Sequence, residues 1–451
     1  MRWRRTIGIA ACLTGAAAAI YLSTRARPPR TREDRAADAL GRVSRIEPQL
    51  AKLRHLALAH EIPAEYQRTD QFRAFVRRSV ARTTDPDATR QAEILTALGL
   101  LPPQSAGSAT TLERSIEDAQ VTQAAAYYDP AAKKFFLVMV PQNDAMLDMI
   151  CAHELTHGLQ DQNFDLTRYL TANVNSDALA ARRFVVEGDA TLSMAAYEIY
   201  ETTQLGELTP EQLALLREKI ETFASLDSAS MTAALKQQAR VTPNMDPEIA
   251  RSLDAMDSIP RTILEPLLQS YMKGALVALT AYERGGWGAV DDLFRDPPES
   301  TEQVLHPRER LIPRRDHPHR VTLPRLDGYD VVGSDVIGEL QWSVYFSLWK
   351  HTGEGREEQN WAGDRYAVLH RKDGKRVVLI ATIWDTAYDA KVFYDAYMST
   401  MKTRFPKGGP GKHGDKSGDA IWVKRSGERV FIVNGDNHDL LERLADETTF
   451  E

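Results

Sequence analysis

The stretch that organises this chain runs from Met146 to Gln162 and reads MLDMICAHELTHGLQDQ. It contains an HExxH arrangement, His153-Glu154-x-x-His157, in a segment whose pattern predicts a helix. Side chains four residues apart lie on one face of a helix, so both imidazoles can point at one metal ion with Glu154 beside it. Neutral imidazole is a good ligand for zinc, and a catalytic zinc site keeps one position open for water, from which Glu154 would take a proton.

The alternative interpretation of this helix is a polar face that carries two solvated or capped histidines. Apolar residues flank the motif, namely Met149, Ile150, Leu155 and Leu159. They predict a half-buried helix, and buried imidazoles need partners for their ring nitrogens. We therefore expect the two histidines to share a metal ion.

A third protein ligand is needed because two histidines leave a zinc site incomplete. The next strong helix is predicted over Asp177 to Thr202, and Glu187 lies in an apolar part of it. A lone carboxylate there is costly unless it is paired or bound to a metal. We expect Glu187 to be the ligand, with Gly188 allowing another backbone to approach closely. Asp189 would be a partner of a ligand histidine or a rival ligand, Asp165 is a second rival, and a surface position of Glu187 is the remaining alternative.

A β-hairpin is predicted immediately before the HExxH helix. Its arms are Gln123 to Tyr128 and Lys133 to Val140, joined by the turn Asp129-Pro130-Ala131. The second arm contains KKFFLVMV, which is rich in residues that favour strands. This arm would offer a free edge to an extended substrate, or else be an ordinary core strand.

The composition is that of a soluble globular protein. The chain has 451 residues, of which 43% are hydrophobic and 26% are charged, and this length predicts two or three domains. The net charge is −7 although eight arginines lie among the first 35 residues, so the rest of the chain is acidic and nucleic acid is not an expected partner. With Cys12 and Cys151 as the two cysteines, we expect no stabilising disulfide and predict that Cys151 is a small core residue.

The N-terminal 27 residues are predicted to be a targeting segment. Arg2, Arg4 and Arg5 precede an uncharged, alanine-rich run from Thr6 to Leu22. This run fits either a cleaved signal peptide or an uncleaved membrane anchor. We therefore expect the protein to be exported or membrane-anchored in the cell envelope, while the sequence leaves its oligomeric state open.

The predicted fold class is mainly α with α+β elements. Residues 28–115 are expected to form a helical lead-in region, 116–325 a zincin-like helical catalytic core with an edge-strand hairpin, and 326–451 a small C-terminal α+β domain. The pair Asp373-Gly374 marks a hairpin in that last domain, whose ββα-ββα order suggests a twofold repeat. We expect this domain to pack against the core or to position substrate rather than to catalyse.

Three short motifs resemble those of gluzincin zinc metallopeptidases, particularly the branch similar to aminopeptidase N. They look like the HExxH, EGxA and YxKG elements of that group, and they occur in the same order: His153-Glu154-x-x-His157, Glu187-Gly188-x-Ala190 and Tyr271-x-Lys273-Gly274. The resemblance extends over about residues 120–307, but only these three short motifs in that range are specific to the group. No segment like the GxMEN motif of the exopeptidases lies upstream, so the choice between endo- and exopeptidase stays open.

By this resemblance, the two motif histidines and Glu187 would bind zinc and Glu154 would be the general base. Tyr271 would donate a hydrogen bond to the oxyanion of the tetrahedral intermediate. In thermolysin-like enzymes a downstream histidine helps to stabilise that oxyanion, and His306 is the candidate here. Alternatively, His306 belongs to a rigid loop whose side chains satisfy backbone groups at the rim of the cleft.

The function expected from these residues is that of a zinc-dependent metallopeptidase. It would hydrolyse bonds of a peptide or protein substrate with a zinc-bound water that Glu154 activates. The alternatives are a non-peptidase zinc hydrolase and a metal-holding binding or scaffold protein of the envelope, built on the same gluzincin-like core. The intact Glu154 argues against a degenerate core that works only as a scaffold, because such a core would not need its base.

Overall fold

The computed structural model describes residues 32–81, 85–101, 126–138, 144–241, 253–254, 256–349, 357–405, 413–414, 420–435 and 437–451. The predicted targeting segment, residues 1–27, lies outside these ranges, as does part of the first hairpin arm, residues 123–125.

Two compact units make up the described chain. The first combines parts of Met1–Asp87, Thr110–Asn173 and Arg182–Pro297, and the second combines parts of Ala88–Ala109, Val174–Ala181 and Pro298–Glu451. Both units are discontinuous in sequence, whereas the regions predicted above follow one another along the chain.

Helices dominate the chain up to Pro297. They are α1 (Arg32–Arg54), α2 (Thr69–Ala81), α3 (Asp85–Leu98), α4 (Asp144–Phe164), α5 (Leu166–Leu170), α6 (Ser176–Thr203), α7 (Pro210–Ala224), α8 (Ser228–Val241) and α9 (Arg261–Arg295). The HExxH helix, α4, is buried on several sides because Ile150, Leu155 and Leu159 are fully enclosed in the core. Cys151 is also fully buried there, which confirms the prediction that it is a core residue.

Helix α1 packs in the same hydrophobic core as α4. Val43, Ile46 and Leu50 of α1 are buried in that core, and Arg42 donates to Asp148 Oδ1 of α4 across 2.9 Å. Apolar side chains at this helical spacing favour a helix with one buried face. The described part of the predicted lead-in therefore contributes directly to the unit that contains the HExxH motif.

A three-stranded sheet lies beside α4 and corrects the edge-strand prediction. Its strands are β1 (Ala64–Tyr66), β2 (Ala126–Asp129) and β3 (Lys134–Leu137), in the order β1-β3-β2. Strand β3, which precedes α4, is central because β1 pairs with it in parallel and β2 pairs with it antiparallel. The arm expected to offer a free edge is therefore the central strand of the sheet, and among the described strands β2 lies at an edge.

Helical structure in α9 continues through Gly285 and Gly286 to Arg295. The backbone nevertheless leaves helical geometry at Gly285 (φ −157°, ψ 24°) and Gly286 (φ 64°, ψ −157°). The positive φ of Gly286 is a conformation that residues with a Cβ rarely adopt. The two glycines therefore form a kink between two helical segments rather than a terminus.

The second unit contains a six-stranded antiparallel sheet in the order β5-β6-β7-β10-β9-β8. The elements after Pro297 are α10 (Thr301–Leu305), β4 (Val321–Thr322), β5 (Tyr329–Asp335), α11 (Gly338–Leu348), β6 (Trp361–Arg371), β7 (Arg376–Trp384), α12 (Ala387–Arg404), β8 (His413–Gly414), β9 (Ala420–Ser426), β10 (Arg429–Gly435), α13 (Asp439–Glu447) and β11 (Thr449–Phe450). Helices α11 and α12 cover one face and α13 covers the other. The predicted hairpin at Asp373-Gly374 joins β6 to β7, with Gly374 at φ +84°.

The fold class predicted at the coarse level, mainly α with α+β elements and a small antiparallel sheet domain near the C-terminus, is confirmed. Within the described residues, no helix is both long enough and apolar enough to cross a membrane.

Candidate metal centre

The two motif histidines and Glu154 lie on the buried side of α4. His153 and Glu154 are completely buried and His157 is 3% exposed. An uncompensated imidazole or carboxylate in such a place is unfavourable, because burial removes its water without replacing the lost hydrogen bonds. The positions of these three side chains therefore require partners from other elements.

Helix α6 supplies the carboxylate that lies nearest to both imidazoles. Glu187 Oε2 lies 3.3 Å from His153 Nε2 and 3.5 Å from His157 Nε2. Ligand atoms held about 2.0–2.2 Å from one ion at tetrahedral angles are about 3.3–3.6 Å apart. The two distances to Glu187 lie in this range, and the ligand atoms of all three groups lie within 4.8 Å of one another, so the three residues could hold a metal ion.

The hydrogen bonding of the histidines also fits a metal ligand set. Within the described part of the chain, His157 Nε2 is buried and has no hydrogen-bond partner. A buried ring nitrogen of this kind is rarely left unsatisfied. A divalent ion among the three groups would take the lone pair of His157 Nε2 and so remove this cost.

A chain of hydrogen bonds behind the site orients His157. Its Nδ1 donates to Gln160 Oε1 across 2.9 Å, and Gln160 Nε2 donates to Asp189 Oδ2 across 2.9 Å. Asp189 can only accept, so the amide nitrogen of Gln160 must face it and the amide oxygen must face His157. The proton of a neutral His157 is thereby held on Nδ1, which leaves Nε2 as the metal-binding atom.

The carboxylate of Asp189 is held in turn by Arg54, which comes from α1 and is completely buried. Arg54 Nε donates to Asp189 Oδ1 across 2.6 Å, and Arg54 Nη2 lies 2.8 Å from Asp291 Oδ1. The guanidinium also lies 4.6 Å from the ring centre of Trp287. A buried ion pair with several partners of this kind fixes geometry more than it adds stability.

The rival ligands considered for this site lie elsewhere. Asp189 reaches His157 only through Gln160, and Asp165 caps the short helix α5 by accepting from the backbone N–H of Arg168. Glu187 is thus the carboxylate that the structure places with both histidines. Neither Gln160 nor Arg54 was predicted. Gln160 has a local signal in the sequence, since it lies three residues after His157 on one helix, whereas Arg54 has none.

His153, His157 and Glu187 shift one another's pKa values. Burial alone would raise the pKa of Glu187, but the neighbouring imidazoles outweigh it and lower that pKa to about 2. Burial likewise opposes protonation of His157, but the Glu187 carboxylate raises the pKa of His157 to about 9. Burial lowers the pKa of His153 below its usual value. Each charge thus favours the opposite charge on its neighbour: the imidazoles favour the ionised Glu187, and Glu187 favours the protonated His157.

Glu154 faces the edge strand β2. Its Oε2 accepts the backbone N–H of Tyr128 across 3.0 Å, and its Oε1 is buried. Tyr128 OH in turn donates to Asp161 of α4 across 2.8 Å, and Lys133 lies 2.7 Å from the same carboxylate oxygen. These contacts attach the edge strand to the face of α4 that carries the possible general base.

Helices α6 and α9 cross in direct backbone contact at Gly188 and Gly274. A Cβ on Gly188 would lie 2.0 Å from Gly274 O, and a Cβ on Gly274 would lie 2.3 Å from Phe184 O. Only glycine permits such an approach. The crossing explains why glycines follow Glu187 and Tyr271 in the two motifs, and it brings the Tyr271 ring to 5.7 Å from the His153 ring, centre to centre.

The structure places His306 in the second unit. It is the residue that ends α10, and its Nε2 lies 2.7 Å from Glu339 Oε1. This contact favours the alternative interpretation, in which His306 has a structural role in a rigid loop. The proposed part of His306 in stabilising an oxyanion stays a prediction.

Comparisons with known proteins identify one domain. Residues 325–445 match a family model described as a domain of unknown function, DUF8575. No curated protein and no solved structure matches the chain. The matched segment lies within the second unit, so the function of the first unit must be argued from its own residues.

Proposed function

We propose that the first unit is a gluzincin-type, zincin-like core and that the protein is a zinc-dependent metallopeptidase. The observation that carries this proposal is the meeting of His153, His157 and Glu187, whose ligand atoms lie within 4.8 Å of one another, with Glu154 next to them. The donor set, two imidazoles and one carboxylate, is the type that catalytic zinc sites use with one open position.

The residues would share the chemistry as follows. Zinc, when bound, would polarise the scissile carbonyl and lower the pKa of a water molecule. The carboxylate of Glu154 would take a proton from the attacking water and later give it to the leaving amine. Tyr271, whose ring packs near His153, would donate a hydrogen bond to the oxyanion, with His306 as the other candidate for that task.

The substrate would bind as an extended strand along β2. Ala126 of β2 lies opposite Leu137 of β3, and Tyr128 lies opposite Phe135. The two β3 residues direct their backbone groups to the β1 side: the carbonyl of Leu137 accepts from Gln67 N–H, and the N–H of Phe135 donates to the carbonyl of Pro63. In an antiparallel pair these positions turn their own backbone groups away from the partner strand. The N–H of Tyr128 meets Glu154 on that side, so a peptide paired with β2 would lie beside the possible base.

The site of action is part of the same proposal. The arginine-flanked, alanine-rich run from Thr6 to Leu22 supports export or anchoring of the protein in the cell envelope, with its catalytic unit acting on peptides or proteins there. A comparison of the mature N-terminus with the membrane and soluble fractions of cells would decide between cleavage and anchoring.

The decisive experiment combines zinc analysis with Glu154→Gln. We expect the purified protein to hold one zinc per chain and to cleave members of a peptide library, and Glu154→Gln to keep the zinc while losing at least about a hundredfold in kcat, because general-base catalysis contributes that much. His157→Ala should lose both zinc and activity.

Two outcomes would contradict the proposal. Wild type that binds no zinc on titration would exclude the metal site, and zinc-loaded wild type that cleaves no peptide would favour the metal-holding alternative. Glu65→Gln is a suitable control because its exposed carboxylate pairs with Lys134 at the surface of the sheet. It should change neither zinc content nor cleavage.

A further inference from the structure

Arg183 is a charged residue of the first unit that the proposed reaction does not use. It lies on α6 four residues before Glu187, in the apolar run Arg183-Phe184-Val185-Val186. Residues four apart on a helix are neighbours on one face. The side chain of Arg183 is therefore expected on the same face as the proposed zinc ligand.

Among the residues that the structure describes, none pairs with the guanidinium of Arg183. Its Nε is buried, and no described residue accepts a hydrogen bond from it or forms an ion pair with it. The residue as a whole is partly exposed, and its two terminal nitrogens are not among the buried atoms without a partner. An arginine that is partly desolvated without a carboxylate partner is unfavourable in the free protein, and such donors are commonly satisfied by a ligand.

The neighbouring arginine shows the contrast. Arg182 donates to the backbone carbonyl of Tyr169 across 2.9 Å and lies 5.2 Å from the centre of the Tyr169 ring. Arg182 thus stabilises the fold through contacts with Tyr169, whereas Arg183 makes no such contact with the described residues.

The charge of the site also favours an anionic ligand. Burial lowers the pKa of Arg183 to about 10 while Glu187 acts in the opposite direction, so the guanidinium is protonated at neutral pH. A divalent ion at the centre would be balanced by the carboxylates of Glu154 and Glu187. Arg183 then leaves an excess positive charge beside the ion, which attracts a negatively charged group.

We propose that Arg183 binds a carboxylate of the substrate next to the proposed zinc site and so makes the enzyme selective for peptides that carry an acid at that position. This inference rests on the proposed peptidase function. A planar guanidinium with free N–H groups matches a carboxylate in a paired, two-bond geometry. Consecutive residues of an extended peptide are about 3.3 Å apart, so an acid one or two residues from the cleaved bond would come within reach of Arg183.

The carboxylate has two possible sources, which matched peptides distinguish. One series contains N-acetylated alanine peptides that end in a free carboxylate or in an amide. The other contains C-terminal amides with Glu or Gln at each successive position. A preference in the first series means that the C-terminal carboxylate is bound, and a preference in the second means that an acidic side chain is bound.

The expected result is a ratio. Wild type should hydrolyse the acid member of one series with kcat/KM at least about tenfold above its neutral partner. In Arg183→Gln this ratio should fall to about one, and in Arg183→Lys it should take an intermediate value because the charge remains but the fork is lost. Arg182→Gln, which removes the same charge one residue away, should keep the wild-type ratio. A ratio measured within one preparation does not depend on the folded fraction.

A binding measurement separates this inference from the proposed function. Zinc-loaded Glu154→Gln, titrated calorimetrically with the acid and neutral peptides, should bind the acid at least about tenfold more tightly, and the double variant with Arg183→Gln should not. Equal cleavage of acid and neutral peptides by wild type, or a preference that persists in Arg183→Gln, would overturn the role of Arg183 while leaving the peptidase intact. Selective binding without any cleavage would instead contradict the peptidase and retain the carboxylate site.

Discussion

His157 shows how single side chains determine what the site can do. Its Nδ1 donates to the side-chain amide of Gln160, and that amide donates to Asp189. Asp189 in turn accepts a hydrogen bond from Arg54. Each contact fixes the donor and acceptor roles of the next one. The orientation of one ligand therefore depends on an arginine more than a hundred residues earlier in the chain.

We predict that Gln160→Ala weakens zinc binding by about 10–100-fold, because the group that holds a ligand histidine contributes that much to metal affinity. The dissociation constant can be measured by competition with a chelator of known affinity. Gln162→Ala is the matched control, since Gln162 lies on the same helix but bonds to the backbone of Ala59 at the surface. Equal affinities of wild type and Gln160→Ala would show that the hydrogen bond does not support the metal.

At the scale of elements, the crossing of α6 and α9 positions two motifs at once. Both helices contribute a glycine at the point of contact. Glu187, next to one glycine, and Tyr271, three residues before the other, both lie near His153. A methyl group at either glycine would meet backbone atoms, which cannot move without shifting a helix.

We predict that Gly274→Ala lowers the free energy of unfolding by about 1–3 kcal/mol and reduces zinc affinity, because overpacking forces the helices apart. Urea unfolding and zinc titration would measure the two effects. Gly288→Ala on the same helix has open space around its position and should be neutral or stabilising by up to about 1 kcal/mol. Unchanged stability of Gly274→Ala would mean that the helices separate at little cost.

The start of α6 is anchored within the second unit by Asp177. Its carboxylate is 3% exposed and accepts from the backbone N–H of Thr301 across 2.9 Å and from the Thr301 hydroxyl across 2.5 Å. Burial raises the pKa of Asp177 to about 7, with Thr301 opposing the shift and nearby acids adding to it. The folded state therefore binds a proton here more tightly than the unfolded state does.

Stability should consequently fall as the pH rises from about 4 to 7, because the folded state pays an increasing cost for the ionised group while the unfolded state is already ionised. The contribution of Asp177 is at most about 4 kcal/mol for a shift of this size. Denaturant unfolding of wild type and Asp177→Asn across this range isolates it, since the other acids are common to both. Identical pH profiles of the two proteins would contradict the raised pKa.

For the whole molecule, the second unit is assembled from separate parts of the chain. Leu98 of α3 packs in the core with Trp342, and Trp349 Nε1 donates to the carbonyl of Gly99 across 2.7 Å. At the other end, β11 pairs with β4, and Glu451 exchanges backbone hydrogen bonds with Arg320. Residues on both sides of the segment 325–445 therefore complete its structure.

We predict that residues 325–445 alone do not fold cooperatively, because they lack α3, β4 and β11. A fragment of residues 298–451 should remain incomplete because it lacks α3 and the start of α6. Peptides of residues 88–101 and 174–181 added to it should restore a sharp thermal transition and the near-UV circular dichroism of the buried tryptophans. Cooperative unfolding of residues 325–445, without any addition, would show that these contacts are dispensable.

Local patterns allowed much of the helical part and the candidate site to be predicted. The spacing of His153 and His157 follows from one helix, and Glu187 was identified as a carboxylate in an apolar helix. The Asp373-Gly374 turn was likewise evident from two residues. By contrast, β5 was missed, since it is a largely exposed edge strand with a glycine inside it and so has no regular alternation of apolar residues.

The sequence by itself determined the helices, the C-terminal hairpins and the side chains able to bind a metal, because those features depend on residues close together in the chain. Only the tertiary structure decided that β3 is central, that Arg54 lies behind the site, that α6 and α9 cross at two glycines and that none of the described residues pairs with Arg183. The physical reason is that strand pairing, helix crossing and the pairing of buried charges are set by contacts between distant segments. No local period in the sequence encodes such contacts.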